Sequence, residues 1–387
     1  MTSLAAPTFS ELESSLASGG PAAALDQLAA RLREEKKYHE LFEALKMKVR
    51  HGLGLPLLPG ESSSDDLPLA TRDKLEEGLV DACREVGELL LQAGKVREGW
   101  MYLRPVGDKR RAAELINAVP QDDDNTEELV EVLLHEGVDT GRGFRLLLEQ
   151  NGTCNAITTY DQMLHQRSKK DRQAASSALL QRVYSDLLSN VSSDIARQEG
   201  GTPSENTLEA LVADRDWLFQ DGAYHIDTTH LASVVRLARI LDDRTELRMA
   251  LDLTHYGRRL SPQLQYQGDE PFVEQYPANA LFFQALLGEN VEEALSYFES
   301  KARLLDPQYS GTAAIETYLE LLSRLGRHKQ ALTEALSLMP AQTPSVAYAP
   351  LLLDLCAKAG SYDELLDFCR TRGDELGFAA ALVARTA

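Results

Sequence analysis

A chain of 387 residues with 43% apolar and 26% charged side chains can bury a sizeable core and is too apolar for wholesale disorder. Its formal charge of −20 repels phosphate backbones and anionic lipid surfaces, which argues against nucleic-acid binding and against docking on acidic membranes. Aromatics reach only 6% while Leu, Ala and Glu fill the long segments, a helical vocabulary because unbranched side chains lose little rotamer freedom in a helix.

Residues 1–7 lack a basic stretch followed by an apolar one, so no signal peptide is expected. No apolar run approaches the ~18–20 residues of a membrane span. Cysteines at 83, 154, 356 and 369 form no CxxC pair, as expected of reduced thiols in a cytoplasmic protein.

In chain order, Gly19-Gly20-Pro21 breaks the chain and sets a proline at a helix start, after which Leu25, Leu28, Ala29 and Leu32 mark one apolar face. A second face runs Tyr38, Leu41, Phe42, Leu45 and Val49, and so short a join requires the two helices to fold back antiparallel. This N-terminal hairpin unit takes residues 1–51. A linker is expected over 52–68, where three prolines and a Ser/Asp run forbid a continuous helix.

A middle helical region follows over 69–200. Helices are expected over 69–93, 96–104, 108–118, 126–136 and 141–150, and a long one over 169–198 buries Leu179, Leu180, Val183, Leu187, Leu188, Val191 and Ile195. Gly200-Gly201-Thr202-Pro203 ends that helix and marks a second boundary. Residues 201–387 then read as helix pairs, with N-terminal signals at Ser204, Asp227 and Asp243. Strand patterns are missing, so the fold class is all-α.

Near the C-terminus Gly288, Gly326 and Gly360 each close an apolar helix and precede a second one, at intervals of 38 and 34 residues, and Gly94 sits in the same setting upstream. These segments resemble the tetratricopeptide repeat, whose period is about 34 residues. That family keeps small residues where its two helices cross, one in each helix, twelve positions apart. Gly87 and Gly99 meet this requirement; Ala29 and Ala331 fit one of the two positions in their units, while Leu41 and Leu319 are large at the other. The resemblance covers roughly 22–50, 80–104 and 278–387. It implies a TPR-like α-solenoid of stacked antiparallel helical hairpins, acting as a non-catalytic adaptor or scaffold that grips a protein or peptide partner along its groove, with no cofactor.

A different class of function hangs on Tyr224-His225-Ile226-Asp227-Thr228-Thr229-His230. His225, Asp227 and His230 offer three ligands of the kind zinc or iron takes in a metal-dependent enzyme or metal-binding protein, with Asp214, Asp216 or His255 as a fourth. The plainer reading makes Asp227 the cap of a following helix. Asp122-Asp123-Asp124 lacks the alternating spacing of a calcium loop, and Gly141-Arg142-Gly143 lacks the strand–turn–helix context of a phosphate cradle. No nucleophile elbow, phosphate loop or zinc-protease motif occurs in the sequence.

Basic residues gather at Arg104 with Lys109, Arg110 and Arg111, at Arg167 with Lys169, Lys170 and Arg172, and along later helices at Arg236, Arg239, Arg244, Arg248, Arg258 and Arg259. Arg236 and Arg239 share a helix face, so with Arg258 and Arg259 they are the candidates for gripping an acidic peptide or a carboxylate terminus; solvated faces paired with neighbouring acids are the alternative. Trp100, Trp217, Phe219, Phe282, Phe283 and Phe298 are candidates for inter-helix core before binding hot spots. The weakly polar segment 377–387 leaves room for self-association.

Overall fold

The computed structural model describes residues 6–58, 67–268, 271–304, 311–338 and 349–386. All regular structure among these residues is helical, and none of the helices is long and apolar enough to cross a membrane. The chain divides into two compact units, Met1–Gln150 and Asn151–Ala387.

The first unit contains α1 (Ala6–Glu34), α2 (Tyr38–Gly52), α3 (Leu69–Gln92), α4 (Val96–Leu103), α5 (Lys109–Asn117) and α6 (Thr126–Val130). A π-helical turn, Glu131–His135, extends α6, and α7 (Thr140–Met163) begins in this unit. Gly20 interrupts α1 at φ 74° and lets Pro21 open its second half, because proline needs no intrahelical N–H at a first turn. Ala29, Leu41, Leu45, Ala82, Val86 and Leu90 then form one core between α1, α2 and α3. Residues 59–66 of the expected linker lie outside the described residues.

Helices α3 and α4 cross where the two glycines stand. A Cβ on Gly87 would lie 2.6 Å from Leu103 Cγ and 3.0 Å from the Gly99 carbonyl, and one on Gly99 would lie 2.6 Å from Leu91 and 3.0 Å from the Gly87 carbonyl. Here glycine is selected for backbone approach, while at Gly94 it is selected for a positive φ of 79°.

The turn at Gly94 recurs through both units. Lys36, Gly94, Gly288, Gly326, Gly360 and Gly373 all have φ between 55° and 86°. In each case the next N–H donates to the carbonyl five residues back: Lys37 to Leu32 at 2.9 Å, Lys95 to Leu90 at 3.0 Å, Glu289 to Gln284 at 2.7 Å, Arg327 to Leu322 at 2.9 Å, Ser361 to Cys356 at 3.2 Å and Asp374 to Cys369 at 2.9 Å. This is the Schellman closure, which satisfies the last carbonyls of one helix and turns the chain straight into the next. Lys36 does without glycine what the other five do with it. An L side chain in that region costs about 1–2 kcal/mol, offset by the ~0.5–1 kcal/mol that glycine's freedom adds to the unfolded chain. Lys36→Gly is therefore expected to raise stability by up to about 1 kcal/mol, read as a higher urea midpoint at unchanged slope. An unmoved or lowered midpoint would show that Lys36 is unstrained.

The second unit holds the rest of α7, then α8 (Lys169–Glu199), α9 (Leu208–Val212), α10 (Thr228–Leu237), α11 (Arg244–Arg259), α12 (Gln275–Leu287) and α13 (Val291–Leu304). It continues with α14 (Ala313–Arg324), α15 (His328–Leu338), α16 (Ala349–Ala359), α17 (Asp363–Arg372) and α18 (Glu375–Ala384). From α11 to α16 each helix packs on the next in sequence. The unit boundary at 150/151 differs from the one expected at 200/201. Gly200 ends α8 at φ 78°, yet α8 packs against α9, α10 and α11 beyond it, so the Gly-Gly-Thr-Pro run is a reversal and no domain linker. Beside the observed boundary α7 is broken at Gly152, φ 77°. At the end of the chain α18 leaves Leu376, Leu382 and Val383 exposed.

Candidate anion-binding cleft

The His225, Asp227 and His230 side chains are held apart by separate tasks. Asp227 caps α10: its Oδ1 accepts the backbone N–H of Thr229 at 2.9 Å and of His230 at 3.1 Å, and the Thr229 hydroxyl at 2.6 Å. The Thr229 hydroxyl bond above all holds its carboxyl below the usual range. His225 lies in the turn before α10, with its side chain 7% exposed. Its backbone N–H donates to the Tyr256 hydroxyl at 2.9 Å, so that hydroxyl's own proton is free to go to Nδ1, also at 2.9 Å. Nε2 faces the carboxylate of Asp194, with Oδ2 at 3.1 Å, and donates to it. Both ring nitrogens thereby tie α8 to α11. Among the described residues no group of three His, Cys, Asp or Glu side chains is arranged to hold a metal ion.

The four arginine candidates separate into two places. Arg259 stacks over Phe219 at 4.3 Å, pairs with Asp216 at 2.5 Å and donates to the Val212 carbonyl; Arg258 is exposed on the same end of α11. Arg236 and Arg239 instead line a cleft of about 600 Å³ within the second unit. Its walls come from five segments: Tyr160 and Asp161 of α7, Lys169 and Arg172 of α8, the end of α10, Glu316, Glu320 and Arg324 of α14, and Asp354 and Lys358 of α16. Phe282, Phe283, Phe298 and Trp100 are buried core, as expected of aromatics at helical spacing.

The cleft is built from the end of α10. That helix, started by the Asp227 cap, tightens into a 3-10 turn over Ala238–Ile240, which leaves carbonyls without helical partners. Arg324 fills the gap: its guanidinium donates to the carbonyls of Arg239 and Leu241 and pairs with Asp242 Oδ1 at 3.0 Å. Gln173 Nε2 donates to the Ile240 carbonyl at 2.9 Å and to Asp242 at 2.7 Å, and Lys169 reaches the same carboxylate at 3.1 Å. Burial raises the Asp242 carboxyl, but these donors outweigh it and hold the group below its ordinary range.

Arg236 places Nη2 3.0 Å from both oxygens of Asp161. Arg239 lies with its guanidinium 4.6 Å from the Phe282 ring and 5.4 Å from the Phe272 ring. Burial pulls its pKa below the ordinary arginine value, Arg324 adds to this and Glu320 opposes it; a guanidinium nonetheless stays charged at neutral pH. Arg172 has its Nε buried without a hydrogen-bond partner among the described residues. Lys358 pairs with Asp354 at 2.7 Å. The lining thus carries six cations, Lys169, Arg172, Arg236, Arg239, Arg324 and Lys358, against four carboxylates, and Asp242, which pairs with two of these cations, makes a fifth.

Of these groups the sequence marked Arg236, Arg239, Lys169 and Arg172 as basic residues, without showing that they share a wall. Arg324 and Lys358 carried no signal, since Arg324 reaches carbonyls more than eighty positions away. The other basic patch is paired: Arg111 forks onto Glu88 at 3.2 and 3.0 Å, and Lys109 donates to the carbonyls of Glu136 and Gly137. Comparison with protein-family models, with curated proteins and with solved structures finds no match to this chain.

Proposed function

We propose that the chain is a partner-binding scaffold, a TPR-like solenoid of helical hairpins whose second unit captures part of another protein in the cleft at the end of α10. The repeated Schellman closures and the glycine crossing of α3 and α4 support the solenoid reading, since both devices let short helix pairs stack with little connecting chain. The observation that carries the binding role is the cleft, an open site on an acidic chain that gathers six cations, with guanidiniums fixed by stacking and by carbonyl capping. Fixed cations suit recognition, because little side-chain entropy is left to lose when a ligand arrives.

A photoreactive amino acid at Ser323, in the cleft, tests this directly. In the native host it is expected to give a discrete protein adduct that the same probe at Glu13, exposed on α1, does not give. Absence of an adduct, or identical adducts from both positions, would remove the cleft as a partner site.

A further inference from the structure

We propose that the occupant of the cleft is an acidic, extended peptide segment of the partner, with two of its carboxylates received by Arg172 and Arg239; this rests on the partner-binding reading above. Four of the six lining cations already have carboxylates: Arg236 has Asp161, Lys358 has Asp354, and Lys169 and Arg324 share Asp242. Arg172 and Arg239 have no carboxylate at ion-pair distance among the described residues, and the Arg172 Nε donor is unused as well. An unpaired, partly buried guanidinium is costly to a fold, and the cost is recovered when an anion arrives. The Arg239 guanidinium lies over the Phe282 ring, 4.6 Å from its centroid, and a guanidinium held in this way offers a carboxylate paired N–H donors.

The two unpaired groups sit in different neighbourhoods. Arg172 stands on the α8 wall, whereas Arg239 stands in the 3-10 turn after α10, over the Phe282 ring. Two single charges spaced along an extended chain reach two walls of one cleft, which suits this division better than one compact dianion. The volume of about 600 Å³ lies within the ~300–1,000 Å³ range of ligand sites and suits a few residues of peptide. Overall charge of −20 gives no long-range steering to such a ligand, so recognition falls to these close donors.

Titration calorimetry of the full chain with a terminally blocked hexaglutamate peptide tests the assignment. One-to-one binding is expected, with none for hexaglutamine. Arg172→Gln and Arg239→Gln are each expected to weaken it at least tenfold, while Arg110→Gln, at a side chain 92% exposed on α5, leaves it unchanged. Arg239→Lys, checked for native circular dichroism, keeps the charge but loses the fork and is expected to fall between wild type and Arg239→Gln. No binding at millimolar peptide, equal binding by Arg172→Gln, or displacement by equimolar inorganic phosphate would overturn the proposal. If the peptide fails while the Ser323 adduct persists, the ligand chemistry is refuted and the partner role stands; if both fail, both fall.

Discussion

Gly143→Ala is expected to destabilise the first unit by about 1–2 kcal/mol, although alanine is the better helix former. A Cβ at Gly143 would lie 2.5 Å from the backbone nitrogen of Leu134, 2.8 Å from its Cβ and 2.9 Å from the Leu133 carbonyl carbon. The obstacle is the backbone of the π-helical turn Glu131–His135, which cannot rotate aside as a side-chain tip can. Overpacking of this kind costs about 1–3 kcal/mol and more where backbone must shift; the helix-propensity gain of replacing glycine is about 1 kcal/mol. The steric term wins. Thermal unfolding of the full chain, with hydrogen exchange at Leu133 and Leu134 to locate the loss, measures it. A raised midpoint would mean that α7 separates freely from the turn. Gly141-Arg142-Gly143, which from sequence alone invites comparison with a phosphate cradle, therefore serves close packing: Gly143 admits the neighbouring backbone and Arg142 donates to the Ile116 carbonyl at 3.0 Å.

Asp252→Asn is expected to stabilise the second unit at pH 7.5 by about 2–3 kcal/mol and to have little effect at pH 4. Asp252 is 5% exposed on α11, and its Oδ2 accepts the Tyr184 hydroxyl at 3.0 Å. That hydroxyl also accepts the Leu208 N–H at 3.3 Å, so one carboxyl joins α8, α9 and α11. Burial, reinforced by Glu209, raises its pKa to about 6 against the opposing Tyr184 bond and Arg248. The folded state therefore holds a proton that the unfolded state has released between about pH 4 and 6. The stabilising effect of that proton is complete below pH 4 and is lost as pH rises through 6, leaving a buried charge at neutrality. Asparagine keeps an acceptor for Tyr184 without the charge. Urea unfolding of both proteins from pH 4 to 8 gives the difference curve. A flat difference, or a less stable variant at pH 7.5, would show that the carboxylate is solvated in the fold.

The legible part of this protein is local. Asp227 before Thr228 and Asp243 before Thr245 announce helix starts because a short carboxylate reaches its own next turn, and both cap as expected. Gly94, Gly288, Gly326 and Gly360 announce helix ends because only a residue without Cβ enters the left-handed region freely. Lys36 performs the same turn with no such signature, so the first hairpin showed only through its two apolar faces. His225 was the most misleading residue. Its spacing to Asp227 and His230 looked like a ligand set, yet its partners are Asp194, thirty-one positions earlier, and Tyr256, thirty-one positions later.

By itself the sequence determined the all-helical class and the positions of most helix starts and stops, because each depends on neighbours within one or two turns, and it determined the acidic balance through composition alone. The tertiary structure alone decided where the two units divide, that Gly143 is there for contact, and that Arg172, Arg236, Arg239 and Arg324 share one cleft while Arg258 and Arg259 do not. Those outcomes depend on contacts between helices dozens of residues apart, and periodicity within a helix says which face is buried without saying what lies against it.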